Sequence, residues 1–156
     1  MIEIQRLKDF LHVEFKIKDF GLLHYFLGME ILRDENGIII SQRKYILDLL
    51  AEFDISHLHS VSSPMDPSCK LTADSGKLMS DPTIYRHLIG KLNYLTHTRP
   101  DLCYAILSLN QFMQQPSEKY FTVALRVLCY LKGSPNQGIF FTASHFFTIS
   151  AFCDAD

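Results

Sequence analysis

The sequence has no surplus of positive charge: 15 lysines and arginines stand against 17 acidic residues, for a net charge of −2. A nucleic-acid surface on such a chain has to be a local patch and not a global field. Long apolar runs are also missing, and none approaches the roughly 18 residues needed to cross a bilayer. Met1 to Arg6 lacks the basic-then-apolar order of a secretory signal. Cysteine is scarce and unclustered. Cys69, Cys103, Cys129 and Cys153 lie far apart and three fall on apolar faces, so buried reduced thiols are expected in place of a disulfide framework. These absences predict an intracellular, unsecreted chain with no membrane partner, and leave nucleus, cytoplasm and organelle open. No glycine-rich phosphate loop, nucleophile elbow or adjacent pair of aspartates occurs, and no small-molecule substrate is expected.

What is present suffices for a folded unit. A chain of 156 residues that is 47% apolar can build one domain or two small lobes. Residues 2–16 carry Ile4, Leu7, Leu11 and Phe15 at helical spacing. Residues 22–33 alternate, with Leu23, Tyr25, Leu27, Met29 and Ile31 on one side, and predict a strand. Asp34-Glu35-Asn36-Gly37 supplies a turn, and Ile38-Ile39-Ile40 returns as a second strand. Ser41 is expected to cap a helix over 42–53, with Tyr45, Ile46, Leu49, Leu50 and Phe53 inward. Residues 60–63 are compatible with a short strand, and 67–80 read as a polar mobile loop.

Three helices should follow. Asp81-Pro82 starts one, with Ile84, Leu88, Leu92 and Leu95 on its inner face. Thr98 and Asp101 have capping-box spacing before a second, with Leu102, Ile106, Leu109 and Met113 inward. Ser117 opens the third, lined by Phe121, Ala124, Leu128 and Leu131 and ended at Gly133. Gly138 to Thr142 and Phe146 to Phe152 read as two closing strands. His57, His59 and Cys69 invite a zinc reading, but a tetrahedral site pairs ligands on both sides of a loop and Cys69 has no second thiol near it. Solvated loop histidines fit better. For His87 and His97, helix-end or surface roles are expected.

Several segments keep one order and spacing: Tyr25-Phe26-Leu27-Gly28-Met29-Glu30-Ile31, Ser41-Gln42-Arg43-Lys44-Tyr45, Tyr85-Arg86-His87-Leu88-Ile89-Gly90, Thr98-Arg99-Pro100-Asp101, Leu131-Lys132-Gly133 and Asp154-Ala155-Asp156. Over almost its whole length the chain resembles the C-terminal half of a copia-type retrotransposon reverse transcriptase. The resemblance implies an α+β fold: an antiparallel hairpin with flanking helices, then three thumb- or connection-like helices, then a short terminal hairpin. Residues 1–66 would be a palm remnant, 67–81 a loop, 82–137 the helices, and 138–156 terminal strands that begin an RNase H domain. In that family a hairpin at this place grips the primer, which gives Leu27, Gly28 and Met29 a nucleic-acid role.

A two-metal phosphoryl-transfer site needs converging carboxylates. The family's adjacent aspartates, which hold Mg²⁺, would lie upstream. Asp154 resembles the first RNase H carboxylate, yet it stands without the later acids of that site. The resemblance therefore implies a truncated chain that is inactive by itself and has no cofactor of its own. Such a chain would bind RNA or DNA duplex weakly, with Lys91, Arg99, Arg126 and Lys132 available for phosphates. For Arg99 a pairing with Asp101 that anchors the interhelical turn competes with that role. Leu125, Cys129 and Tyr120 stand where relatives often carry basic residues or histidine, which predicts an eroded duplex-tracking surface. The alternative is a protein-interaction module that uses the exposed hairpin and helices, with a second copy or missing polymerase segments as partner.

Overall fold

The computed structural model describes residues 2–19, 21–66, 68–69, 71–72, 76–143 and 151. Along the chain come α1 (Ile2–Phe15), β1 (Tyr25–Phe26), β2 (Met29–Arg33), β3 (Gly37–Ser41), α2 (Arg43–Glu52), α3 (Thr83–Leu95), α4 (Cys103–Asn110), α5 (Glu118–Gly133) and β4 (Gly138–Thr142). Short 3₁₀ turns occupy Ile55–His57 and Pro100–Leu102. The fold is α+β, with an antiparallel sheet in the order β1-β2-β3-β4.

One hydrophobic core joins α2 to the three later helices. Tyr85, Leu88, Ile89, Leu92 and Leu95 of α3 recur at helical spacing and are fully buried. They meet Ile46 and Leu49 of α2, Ile106 and Leu109 of α4, and Ala124, Val127, Leu128 and Leu131 of α5. Each such aliphatic side chain contributes about 1.5–3 kcal/mol by leaving water. Ile84, expected inward, is 45% exposed, and Tyr85 takes the inner face in its place. The Tyr85 hydroxyl stays satisfied by donating to the Leu109 carbonyl at 2.7 Å. Met113 and Phe121 are only partly covered.

The helix ends depart from the sequence expectations in instructive ways. Ser41 belongs to β3 and does not cap α2; Glu30 Oε1 on the neighbouring strand accepts from the Lys44 amide at 3.1 Å. Thr98 and Asp101 form no capping box. The Thr98 hydroxyl donates to Gln42 Oε1 at 2.7 Å, and the chain enters α4 through the 3₁₀ turn. Asp81 behaves as expected, its Oδ1 accepting from the Thr83 amide at 2.8 Å. Ser117 caps α5 by accepting from Tyr120 N. The segment expected to be a mobile loop is tied down at its end: Leu78 bridges Ser117, and Glu118 N donates to Lys77 O at 2.9 Å. No strand forms at 60–63, although Val61 N reaches the Cys129 carbonyl at 3.4 Å.

The predicted strand 22–33 is two strands. Phe26 pairs with Met29, and the chain reverses over Leu27 and Gly28. Their φ values of +48° and +77° are those of a two-residue hairpin turn that matches the right-handed twist of its strands. Alternation cannot reveal such a turn, because both arms carry on the apolar pattern. β2 then pairs with β3 as expected, Ile31 opposite Ile40. β4 adds to β3, Ile139 opposite Ile40 and Gly138 opposite Ser41. Of the expected strand at 146–152 only residue 151 is described, and it lies outside any strand. α1 forms as predicted, but none of its residues is buried, and Ile4, Leu7 and Phe15 are exposed.

Two glycines give opposite expectations. A Cβ on Gly138 would stand 2.2 Å from the Ile40 carbonyl oxygen, whereas one on Gly90, in α3, would meet nothing within 4 Å. Gly138→Ala should destabilise the fold by about 1–3 kcal/mol and loosen β4. Gly90→Ala should stabilise it by about 0.5–1 kcal/mol. Urea unfolding of both variants checks the pair.

Candidate nucleic-acid interface

The β1–β2 turn is the one sequence-predicted site that reaches the surface as a unit. Leu27 is 67% exposed and holds a left-handed conformation that costs a branched L-residue about 1–2 kcal/mol. Strain of this kind in an exposed turn marks a candidate for function. Gly28 accepts the same region of backbone space without that cost. Tyr25 and Phe26 are more than half exposed, and Met29 is half-buried. The tip is nevertheless fixed. The Tyr94 hydroxyl, from the last turn of α3, donates to the Leu27 carbonyl. Its ring packs edge-on to Tyr45 with centroids 5.3 Å apart, and His97 lies 5.5 Å away on another side. Behind the tip, Ile31 N donates to His24 O at 2.8 Å.

The four basic candidates are spent inside the protein. Lys91 Nζ pairs with Glu52, a residue that His87 Nε2 also approaches at 3.6 Å. Lys132 Nζ donates to the carbonyls of Ser56 and Leu58 at 2.6 and 2.8 Å. Arg126 reaches Ser63 Oγ at 3.4 Å, and its Nε is buried without a partner among the described residues. Arg99 is 0% exposed. Its Nε and Nη2 grip the two Asp101 oxygens at 3.0 and 2.8 Å, and its Nη1 donates to Ser134 O at 2.9 Å. The Tyr130 ring lies 5.4 Å from the guanidinium, and the Tyr130 hydroxyl donates to Asp101 Oδ2 at 2.9 Å. The pairing weighed for Arg99 is the one the fold contains. Burial alone would raise the Asp101 carboxyl, but the Arg99 and Tyr130 hydrogen bonds outweigh it and hold the group below the ordinary aspartate range.

No three histidine, cysteine or acidic side chains converge among the described residues, so these do not fit a paired-magnesium or zinc site. His57 and His59 are exposed, while Cys69 is half-buried beside a cavity of about 410 Å³ lined also by Met65, Asp66 and Tyr104. Asp154 lies outside the described residues. Tyr120 and Cys129 are buried in the core, so those positions do not face a duplex-tracking surface. Among the described residues no helix is long and apolar enough to cross a membrane.

A family model described as reverse transcriptase (RNA-dependent DNA polymerase) matches residues 1–67. The chain is 46% identical over 148 residues, 95% of its length, to the retrovirus-related Pol polyprotein from transposon RE1 of Arabidopsis thaliana. Residues 1–67 thus match the reverse transcriptase family, and almost the whole chain is similar to copia-type Pol polyproteins. Identity to the Pol polyprotein from transposon RE2 of the same plant is 44%, again over 95% of the chain. The chain spans 10% of the length of each of these polyproteins. It is also 34% identical over 142 residues to an uncharacterised mitochondrial protein of Arabidopsis thaliana, AtMg00810, of which it spans 59%. No solved structure matches.

Sequence reasoning missed Tyr94, Glu30 and Gln42, which lash the hairpin and α2 to the helices. Glu30 and Gln42 each stood inside a motif quoted for other reasons, and only the fold gives them and Tyr94 a task. Arg99→Ala should strand the Asp101 carboxylate and cost about 3–5 kcal/mol. The pH dependence has a fixed sign. Because the folded Asp101 pKa lies below the unfolded value of about 3.9, its contribution is present above that value. It is lost as pH falls through the folded pKa. The gap in unfolding free energy between wild type and Arg99→Ala should therefore narrow as pH drops from about 6 to about 3. A gap that stays constant would remove Asp101 as the linked group.

Proposed function

We propose that this chain is a non-catalytic stretch of a retrotransposon reverse transcriptase that touches template–primer duplex weakly and without sequence preference through the Leu27-Gly28-Met29 tip. The observation that carries this reading is the tip itself: apolar, two-thirds exposed at Leu27, held in costly backbone geometry and lashed to α3. Near-neutral overall charge, together with the internal use of the candidate cations Lys91, Arg99, Arg126 and Lys132, argues for low affinity. The lack of converging acids among the described residues supports inactivity of this stretch by itself.

A second reading has its own support. On α1, Ile4, Leu7, Phe10 and Phe15 are more than half exposed. On the sheet, Leu32, Ile39 and Phe140 stand side by side across three strands, all at least 36% exposed. Apolar surface of this kind favours association with another protein segment, whether a second copy or the rest of a polymerase.

Duplex binding measured by fluorescence anisotropy between about 0.05 and 0.2 M salt separates the two. On the nucleic-acid reading the dissociation constant is no tighter than roughly micromolar and weakens steeply with salt. Nanomolar binding that survives the higher salt would sink it. Salt-insensitive self-association in sedimentation, with no duplex binding, would favour the second. Neither nucleotide incorporation nor RNA cleavage is expected with Mg²⁺ or Mn²⁺, and turnover abolished by Asp154→Asn would overturn the inactive reading.

A further inference from the structure

We infer that Tyr94 is a positioning residue for the hairpin tip, setting the geometry in which Leu27 and Gly28 meet nucleic acid; this rests on the duplex reading of the tip proposed above. Two separate contacts point to it. The Tyr94 hydroxyl donates to the carbonyl of Leu27, inside the strained turn. The Tyr94 ring also lies flush with Gly28, since a Cβ built there would sit 3.6 Å from Tyr94 Cε1, an ordinary van der Waals distance.

A two-residue turn with Leu at a left-handed position has an easy way out. Relaxing φ would relieve the strain and let β1, which has only two residues, peel from β2. A phenol clamped on the turn carbonyl opposes that motion. The clamp stands on firm ground: Leu92 and Leu95, on either side of Tyr94 in α3, are fully buried, and Tyr45 of α2 supports the ring edge-on. The charged groups near this site are accounted for elsewhere, Lys44 by Asp48 and Lys91 by Glu52. Arg33, which donates to the Leu23 carbonyl, and Glu30, which accepts from the Lys44 amide, anchor the strands behind the tip, while the turn itself is held to α3 by one neutral hydrogen bond and one ring contact.

Such a role has a signature that general destabilisation lacks. Removing the hydroxyl should loosen the turn and weaken duplex binding while leaving the salt slope unchanged, because the slope counts phosphates neutralised by cations. The experiment compares wild type, Tyr94→Phe and Leu27→Asp. Readouts are amide hydrogen exchange and anisotropy with a mixed-sequence RNA–DNA duplex. Tyr94→Phe should speed exchange at Leu27 to Met29 about two- to tenfold, the range for one lost hydrogen bond, and weaken binding by a similar factor. Exchange across Leu88 to Leu95 should stay as in wild type, and Leu27→Asp should weaken binding by the loss of the tip alone.

Unchanged turn exchange in Tyr94→Phe overturns the positioning role, whatever happens to binding. Faster exchange with wild-type affinity, while Leu27→Asp binds poorly, overturns it as well, since the tip would then act without the clamp. Loss of protection throughout α3 would make Tyr94 a folding residue and end the proposal. If Leu27→Asp binds duplex as wild type does, the duplex reading itself has failed and the positioning role goes with it.

Discussion

Arg99 is a charge withdrawn from water, and it is tolerated there because every face of the guanidinium that the fold presents is answered. Asp101 takes two of its nitrogens, Ser134 takes the outer pair through its carbonyl and hydroxyl oxygens, and the Tyr130 ring closes one side. Desolvating an ion costs several kcal/mol, and only such bidentate geometry offsets it. The location gives the interaction its reach. Residues 98–101 turn α3 into α4, while Ser134 is where α5 stops and the chain departs for β4. A single side chain thus fixes the angle between two helices and the exit point of a third.

From that exit the remaining order propagates through backbone pairing. β4 leaves α5 and pairs with β3; β3 pairs with β2; and β2 runs to the Leu27–Gly28 turn. Close approach at the β3–β4 seam needs glycine, since a Cβ at Gly37 would fall 2.0 Å from the Phe141 carbonyl oxygen. The tip then returns to the helices through Tyr94, and Glu30 ties the same strand to the start of α2. The sheet is therefore pinned at both ends, by Ser134 with Arg99 and by Tyr94 with Leu27. This explains how a hairpin with two-residue β1 holds a strained turn in place.

Helical periodicity was readable because burial enforces it: Leu88, Leu92 and Leu95 in α3, and Ala124, Leu128 and Leu131 in α5, sit where their spacing put them. The second hairpin was readable too, since Asp34 Oδ1 accepts from both the Asn36 and Gly37 amides, as turn chemistry requires. Three features were not. The Leu27–Gly28 reversal hides inside an unbroken alternating pattern, and leucine is a poor herald of positive φ. The α2 cap comes from Glu30, on another element, so no local motif announces it. The exposed face of α1 has the same spacing as a buried one, and periodicity reports which residues share a face, not what covers it. The cations of the candidate interface failed for a related reason. A lysine written on a helix does not say whether its ammonium meets a phosphate or the carbonyls of Ser56 and Leu58.

The internal partners of these cations limit where an interface on this segment can be examined. Lys91, Arg99, Arg126 and Lys132 each bind a partner within the fold, so alanine at any of them acts on folding before it acts on affinity. A drop in duplex binding after such a change would carry no information about phosphate contact, because the competent population itself would have fallen. Leu27 has the opposite character. It is exposed, its side chain contributes little to the core, and its backbone strain is present with or without a ligand. Substitutions of its side chain therefore change the surface offered to a partner while leaving the helical core intact, and a partner that ignores them does not bind at the tip.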